Sequence, residues 1–509
     1  VTTVGGSLAP ACWLPLLAVV LPLVGVIVAA VGERVPGRWK SLSLVATAGA
    51  TLLVAVAIVP GVFVGRCFEV YVWQMTPQLW LMLRVDAAGA AYGVTVAALG
   101  LLAVVYSFGY LAPGPRRARY FAFFMACLGC TLGVAYAGNL FTFLIFYEAF
   151  SVMTYALVVH EQTRSALAAG AKYIAYILVG GSLVLGGVLL TFFLAGDLTF
   201  VAGGMLPADL PPGQLLAAFW CFVVGFGVKA ALFPLHGWVP DAHPAAPAPF
   251  SAVLSGVMVA AGAFGILRVV FDVFGVELVR GLGVAPWLAG VAAFTVLFGA
   301  VLALGQDDLK RRLAYSTISQ MGYLTLAIAL LGEGPTAGAL VHLIHHAFLK
   351  GTLFFCAGLW IHEAGARRVS ELRGVGARMP LTTGAFTLAA LGMIGVPPLS
   401  GFVSKWWLGL GMLEVGEPLA LVVLLAGALL AAAYLLPVVY VATFAPGPDA
   451  GSVPRTPTTG HRGGEGAPSM LVPTLIAGAL TLVLGLVSHL PGFPLELARL
   501  ATQGWFGGG

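Results

Sequence analysis

The chain has 509 residues, 60% of them hydrophobic and only 9% charged, with a mean hydropathy of +1.00. A soluble domain carries about 25% charge, so this composition excludes a water-soluble globular protein and indicates a polytopic membrane protein. The net charge of +5 does not point to nucleic acid, because the basic residues lie in short loops between apolar runs.

Sixty-seven glycines fit the membrane class, since small residues let spanning helices approach closely. Residues 1–10 carry no positive segment ahead of the first apolar run, so no secretory signal is expected. Apolar stretches of about 20 residues each read as transmembrane helices. They fall at 11–31, 41–64, 86–111, 119–136, 138–159, 170–195, 214–238, 248–274, 286–305, 311–332, 337–361, 381–410, 418–444 and 470–490. Together they predict an all-α fold of about fourteen transmembrane helices. Between helices 2 and 3, residues 66–84 alternate aromatic and polar side chains and predict an exposed hairpin or interfacial segment. The loop within 445–469 is rich in Pro, Gly and Thr and is expected to be flexible.

Loop charge predicts the orientation. Loops after odd-numbered helices hold seventeen basic residues: Arg34, Arg38, Lys40, Arg116, Arg117, Arg119, Arg164, Lys172, Lys310, Arg311, Arg312, Arg367, Arg368, Arg373, Arg378, Arg455 and Arg462. The other side has Arg66, Arg84, Arg268, Arg280 and Arg499. The positive-inside rule makes the odd loops cytoplasmic and places both termini outside. The turn QDDLKRRL, with Asp307, Asp308, Lys310, Arg311 and Arg312, reads as a cytoplasmic helix-connecting turn whose charge is cheap and structural.

Helices 7 and 12 carry internal prolines, Pro234 and Pro397-Pro398, and helix 8 starts through Pro244, Pro247 and Pro249. A break inside a membrane is tolerated only where protein or a water-filled cavity satisfies the freed backbone groups. A broken helix in each half, each near a buried lysine, predicts two inverted repeats of about five helices, helices 4–8 and 9–13. The expected division is 1–118 (helices 1–3 with the hairpin), 119–274, 286–444, the loop 445–469 and the last helix with its tail, 470–509.

Four ionisable residues lie inside apolar stretches: Glu148, Lys229, Lys350 and Lys405. Each costs roughly 2.5–3.5 kcal/mol near a bilayer centre, so intramembrane charges mark ion or proton pathways more readily than structure. Glu148 has no compensating charge within a turn and is either neutral or paired with a cation from another helix. Lys229 is its natural partner at similar depth, making a bistable electrostatic pair; a purely structural ion pair is the alternative. In helix 11, His342, His346 and Lys350 fall at i, i+4 and i+8 and share one face, with His345 rotated off it. Neutral imidazoles both donate and accept, which suits a proton relay. Ordinary packing is the plainer alternative, and zinc a further one, although no third ligand or HExxH pattern accompanies the pair. Lys405 adjoins Trp406 and Trp407, so it is either a terminal proton group or an interfacial lysine that snorkels. His236 and His243, near the cytoplasmic end of helix 7, either load protons or cap the turn. Cys127 and Cys130 form a CxxC inside an apolar helix with no second pair, which favours helix packing over metal or redox use. No nucleotide, haem or iron–sulfur motif is visible, and no cofactor or metal is expected.

The segments YEAFSVMTYALVVH, VKAALFPLHGWVPDAHPAAPAPFSAVLSGVM, DDLKRRLAYSTISQMGYL, HLIHHAFLKGTLFF and GVPPLSGFVSKWW resemble the antiporter-like subunits of respiratory complex I, Mrp-type cation/proton antiporters and membrane-bound hydrogenases. LRVDAAGAAYG and VYSFGYL resemble the same family's N-terminal region, and the match runs over roughly residues 82–410. The resemblance implies fourteen helices, two inverted five-helix repeats, broken helices 7 and 12 and a polar axis at mid-membrane. On that axis Glu148 matches the helix 5 glutamate, Lys229 the helix 7 lysine, Lys350 the central lysine and Lys405 the terminal one. One departure stands out: Ala260 occupies the place of a helix 8 lysine or histidine, leaving only the hydroxyls of Ser251 and Ser255 nearby. With little chain after helix 14, medium-sized subunits, including the D-type Mrp subunit, are the closer comparison.

These features predict a proton-translocating inner-membrane subunit that works with other hydrophobic subunits in a lipid bilayer. The resemblance favours an Mrp-type exchange of Na⁺ or K⁺ for protons. A pumping subunit of a complex I-like NADH-quinone oxidoreductase or hydrogenase is the alternative. An energy-coupled inorganic-carbon transporter and a non-conducting scaffold subunit are further ones.

Overall fold

The computed structural model describes residues 13–31, 37–66, 68–112, 115–446, 464–488, 490 and 494–507. Arg34, Arg455 and Arg462, and most of the loop predicted to be flexible, lie outside the described residues. The helices run α1 (Leu14–Val31), α2 (Gly37–Phe63), α3 (Ala87–Tyr110), α4 (Pro115–Ala135), α5 (Leu140–Val158) and α6 (Arg164–Ala195). The first break separates α7a (Pro212–Lys229) from α7b (Val239–Ala245). There follow α8 (Ala248–Phe274), α9 (Ala285–Leu304), α10 (Leu309–Ala329) and α11 (Glu333–Ala364). The second break separates α12a (Pro380–Ile394) from α12b (Ser400–Glu414), ahead of α13 (Pro418–Phe444), α14 (Pro468–Leu486) and α15 (Pro494–Phe506).

Among the described residues, eleven helices are long and apolar enough to cross a membrane, and α1 and α12a are apolar but shorter. The protein is an all-α polytopic membrane protein, but length and composition do not establish the count of fourteen. Helix α10 is one reason. It is long enough, yet it carries Lys310, Arg311, Arg312, Ser316, Thr317, Ser319 and Gln320. Such a helix is stable in a membrane only when other helices surround it.

Local chemistry sets the boundaries. Asp86, Asn139, Thr163 and Asp308 each accept a hydrogen bond from the backbone N–H three residues on, capping α3, α5, α6 and α10. Gly196 and Gly365 close α6 and α11 in the left-handed conformation that glycine adopts without steric cost. Helix 7, expected to run to residue 238, stops at Lys229, with Ala231 at φ 55° and Pro234 unable to donate. Val228 keeps its carbonyl satisfied by accepting from Trp238 Nε1 at 2.8 Å.

The segment between α2 and α3 is an antiparallel hairpin, β1 (Phe68–Thr76) on β2 (Leu79–Val85), paired from Phe68↔Val85 to Thr76↔Leu79. It buries Phe68, Val70, Leu83 and Val85 and exposes Trp73 and Met75. At its end, burial works to raise the Asp86 carboxyl, but Arg268 of α8 overrides it and holds Asp86 below the usual carboxylate range. Arg268 bonds Asp86 at 2.8 Å and Asp272 at 2.9 Å. Asp272 in turn accepts from Trp505 Nε1 at 2.7 Å, which ties α15 to the end of α8. Sequence patterning read this final segment only as a tail, because α15 is too short and too amphipathic to register as a span. Glu465, inside the loop expected to be flexible, accepts from the backbone N–H and the hydroxyl of Thr382 at 2.9 and 2.6 Å, capping the start of α12a.

The whole membrane-length stretch of α8 is buried. Around it α7, α10 and α11 carry the polar side chains of the interior.

Candidate functional site: a buried row of amines and imidazoles

Three clusters lie in the interior. In the first, Lys229 is the last residue of α7a and has no exposed surface. Its Nζ donates to Tyr173 Oη at 3.0 Å and to Ser151 Oγ at 3.3 Å, and it lies 4.2 Å from the Phe150 ring centroid. An ammonium gains cation–π attraction in that position. Tyr173 donates to the Ser151 carbonyl at 2.9 Å, and Cys127 Sγ lies 3.8 Å from Thr154 Oγ1 behind the cage. Cys127 and Cys130 are free thiols.

Glu148, predicted to pair with Lys229, is half-buried on the same helix as Ser151 but makes no ion pair within 4.0 Å among the described residues. Its Oε1 is buried without a hydrogen-bond partner. The carboxylate fills the space over Gly181 of α6, where a Cβ would stand 2.2 Å from Oε1. The structure therefore holds the pair open: the amine is in a hydroxyl and aromatic cage, and the carboxylate lies against a glycine on the neighbouring helix.

The second cluster centres on Lys350 of α11, also without exposed surface. Its Nζ donates to the Leu313 carbonyl at 2.9 Å and contacts Ser316 Oγ, both on α10. Thr317 Oγ1 donates to that same carbonyl at 3.0 Å and lies 2.6 Å from Ser255 Oγ of α8. At the place where Ala260 leaves helix 8 without a titratable side chain, a pair of hydroxyls thus links α8 to the lysine's own acceptor. Ser251, one turn earlier, donates to the His243 carbonyl at 2.9 Å.

The third cluster joins α11 to α12b. His342 bridges two helices, with Nδ1 3.0 Å from Ser404 Oγ and Nε2 3.1 Å from Gln320 Oε1. The His346 ring is centred 6.1 Å from it and is buried against the Gly256 backbone of α8. His345 is buried too, off this line and against the Ser400 backbone. Lys405 adjoins Ser404. It is 8% exposed and donates to the carbonyls of Met393 and Ile394 at 2.7 and 3.0 Å. It does not snorkel. Its Nζ caps the carbonyls left free where α12a stops and lies 5.5 Å from the Tyr323 ring. It also lines a cavity of about 340 Å³ with Phe402, Trp406, Leu421 and Leu424.

The two histidines near the first break part company. His243 has no exposed surface, has both nitrogens without partners and stacks on Phe354 of α11 at 5.2 Å. His236 is only partly buried, stacks on Phe233 and meets Phe298 edge-on. Outside the spans, burial first and then Arg119 and Arg116 push the His160 imidazole down to about 4, so it stays neutral near pH 7. Among the described residues, no three His, Cys, Asp or Glu side chains gather closely enough to hold a metal ion.

Residues 137–432 match the family described as NADH:quinone oxidoreductase/Mrp antiporter, TM. The chain belongs to this family. Along nearly its whole length it is 36% identical to NADH-quinone oxidoreductase subunit N of Desulforudis audaxviator, over 488 residues covering 94% of this chain and 96% of the relative. A subunit of the membrane-bound sulfane sulfur reductase, an archaeal respiratory membrane complex, superposes with a TM-score of 0.85 at 26% identity, covering 96% of this chain and 97% of that one. A chain of the Mrp complex from Dietzia sp. DQ12-45-1b has the same fold, with a TM-score of 0.85 at 24% identity and 97% coverage of both.

In this antiporter-like subunit, two residues escaped the sequence reading. The turn QDDLKRRL reads as structural charge in a loop, with no sign of which cations turn inward, yet Lys310 is 5% and Arg312 8% exposed. Arg312 donates to the carbonyls of Gln306 at 2.7 Å and Tyr434 at 2.9 Å, fastening α10 to α13. The signal was present: α10 is the polar helix of the set, and a polar helix among apolar ones must bury its charged end. Arg311 and Asp308 behave as expected, pairing at the surface with Asp241 and Arg367.

Proposed function

We propose that this chain is a proton-translocating subunit of a redox-driven, multisubunit inner-membrane complex, with Lys229, Lys350 and Lys405 carrying protons in turn. The observation that carries this reading is chemical. Three buried amines hold carbonyls, hydroxyls and aromatic faces as partners, with no ion pair within 4.0 Å among the described residues, so each can lose and regain a proton without breaking an ion pair. Glu148 sets the charge state of Lys229 from its niche over Gly181, as a switch that closes when the carboxylate swings toward the amine. His342 and His346 relay between Lys350 and the Ser404–Lys405 end, and the Ser255–Thr317 hydroxyls stand in for the missing helix 8 base. His236 and His243 mark the side from which protons load.

Redox coupling is favoured over cation exchange because a relative 36% identical over nearly its full length is named a quinone oxidoreductase subunit. Mrp-type exchange of Na⁺ or K⁺, the preference drawn from chain size, is the second reading; the family's description covers both. In either case the basic odd loops face the cytoplasm, both termini lie outside, and residues 119–274 and 286–444 form the two inverted repeats.

Co-purification of the tagged chain in mild detergent, followed by mass spectrometry, tests the assignment. Subunits carrying iron–sulfur clusters, flavin or nickel are the expected result. Small hydrophobic partners alone would transfer the chain to the cation/proton antiporters, and a monodisperse chain with no partner would overturn the multisubunit reading.

A further inference from the structure

Lys310 is the one buried lysine that the proposed relay does not use. It lies at the start of α10, 5% exposed, and forms no ion pair within 4.0 Å among the described residues. Its Nζ reaches across to α7b and the link that follows, contacting the Ala246 carbonyl and donating to that of Pro244 at 3.4 Å. On one side of this link opens a polar vestibule of about 650 Å³, lined by Pro244 and Ala245 together with Glu161, Asp241, Asp308 and Arg367. On the other side lies His243, with two unpartnered ring nitrogens and its ring stacked on Phe354, one helical turn from Lys350. The groups electrostatically coupled to Lys310 are Asp308, Arg367 and Glu161, all lining the vestibule; those coupled to His243 are Lys310 and Lys350.

We propose that Lys310 loads protons from the vestibule onto His243 for delivery to Lys350. This inference rests on the proton-translocation reading above. The step moves no electrons. The Lys310 ammonium gives a proton, through intervening water, to a neutral His243 ring nitrogen, and an N–H bond breaks as another forms. The amine lone pair then takes a proton from vestibule water, with Glu161, which forms no ion pair within 4.0 Å among the described residues, in the vestibule lining. The carbonyls of Pro244 and Ala246 keep the amine in place through both protonation states.

The competing role is structural: a fixed cation capping the last carbonyls of α7b. Arginine separates the two, because it keeps the charge and the donors but does not deprotonate. The test uses inverted membrane vesicles carrying the intact complex and a ΔpH-sensitive dye, driven by NADH or by an imposed Na⁺ or K⁺ gradient. Lys310→Arg is expected to assemble, to lose at least about tenfold in proton flux, and to recover part of it when the vestibule-side pH is lowered, since hydronium can then reach His243 unaided. Wild-type flux in Lys310→Arg, failure of that variant to assemble, or a loss insensitive to pH would each overturn the proposal in favour of the cap. Lys229→Ala in the same vesicles separates the two levels. Flux lost there but kept in Lys310→Arg removes only the loading role, whereas flux kept in Lys229→Ala removes the translocation reading itself.

Discussion

Lys229→Ala abolishes proton translocation, by at least about 100-fold in flux, while the complex still assembles. The argument rests on how Lys229 is held. Its amine bonds Tyr173 Oη and Ser151 Oγ and faces aromatic rings, with no ion pair within 4.0 Å among the described residues, so its removal breaks no direct ion pair. Two buried hydroxyls lose a partner, at about 1–3 kcal/mol each if nothing replaces it. That loss is offset by no longer holding an amine in the membrane interior, which costs roughly 2.5–3.5 kcal/mol when charged. Lys229→Arg is expected to fail as well, because the cage is built for a compact group and a guanidinium does not release its proton. Flux in inverted vesicles, alongside a native gel of the complex, reads both halves of the prediction. A transporting Ala variant would remove Lys229 from the path.

Gly262→Val prevents assembly, and Gly262→Ala already lowers both the thermal midpoint and the flux. Gly262 is where α8 meets the break after α7a. A Cβ there would stand 2.3 Å from the Ala230 nitrogen, 2.6 Å from the Phe226 carbonyl oxygen and 2.9 Å from the Lys229 carbonyl carbon. All three are backbone atoms that cannot rotate away. Overpacking a rigid core costs about 1–3 kcal/mol, and here the displaced backbone is the one that aims Lys229. Gly290 on α9 is the control, since no atom stands within 4 Å of its added Cβ. Fluorescence-detected size exclusion of both variants checks the result, and a Gly262→Val complex that elutes and melts like wild type would refute it.

Much of the fold is legible because lipid imposes it: apolar runs of spanning length mark most of the helices to within a few residues. The exceptions follow from burial inside the protein. Helix α10, expected at 311–332, carries Gln320, Ser316 and Lys310 only because neighbouring helices surround it, and that packing is not written in its apolar pattern. The burial of Lys310 and Arg312 is not legible in the structural reading of their turn, since local charge density says nothing about which cation turns inward. Glu148 and Lys229 are recognisable as residues out of place, but their separation is not, because it depends on an empty space over Gly181 on a third helix. The absence of a helix 8 base is plain at Ala260; the Ser255–Thr317 pair that spans the gap appears only when α8 and α10 are packed together.

The central claim is that protons cross through this chain along its buried amines. The most direct measurement is the number of protons moved per turnover by the intact complex in liposomes, comparing wild type with Lys350→Met. Methionine keeps the unbranched side chain up to the place of Cε, and α11 stays packed against α10, while the amine bonded to Leu313 and Ser316 is lost. The account predicts a fall in protons per turnover with subunit composition unchanged. An unchanged ratio at full turnover would contradict it and leave the chain a scaffold.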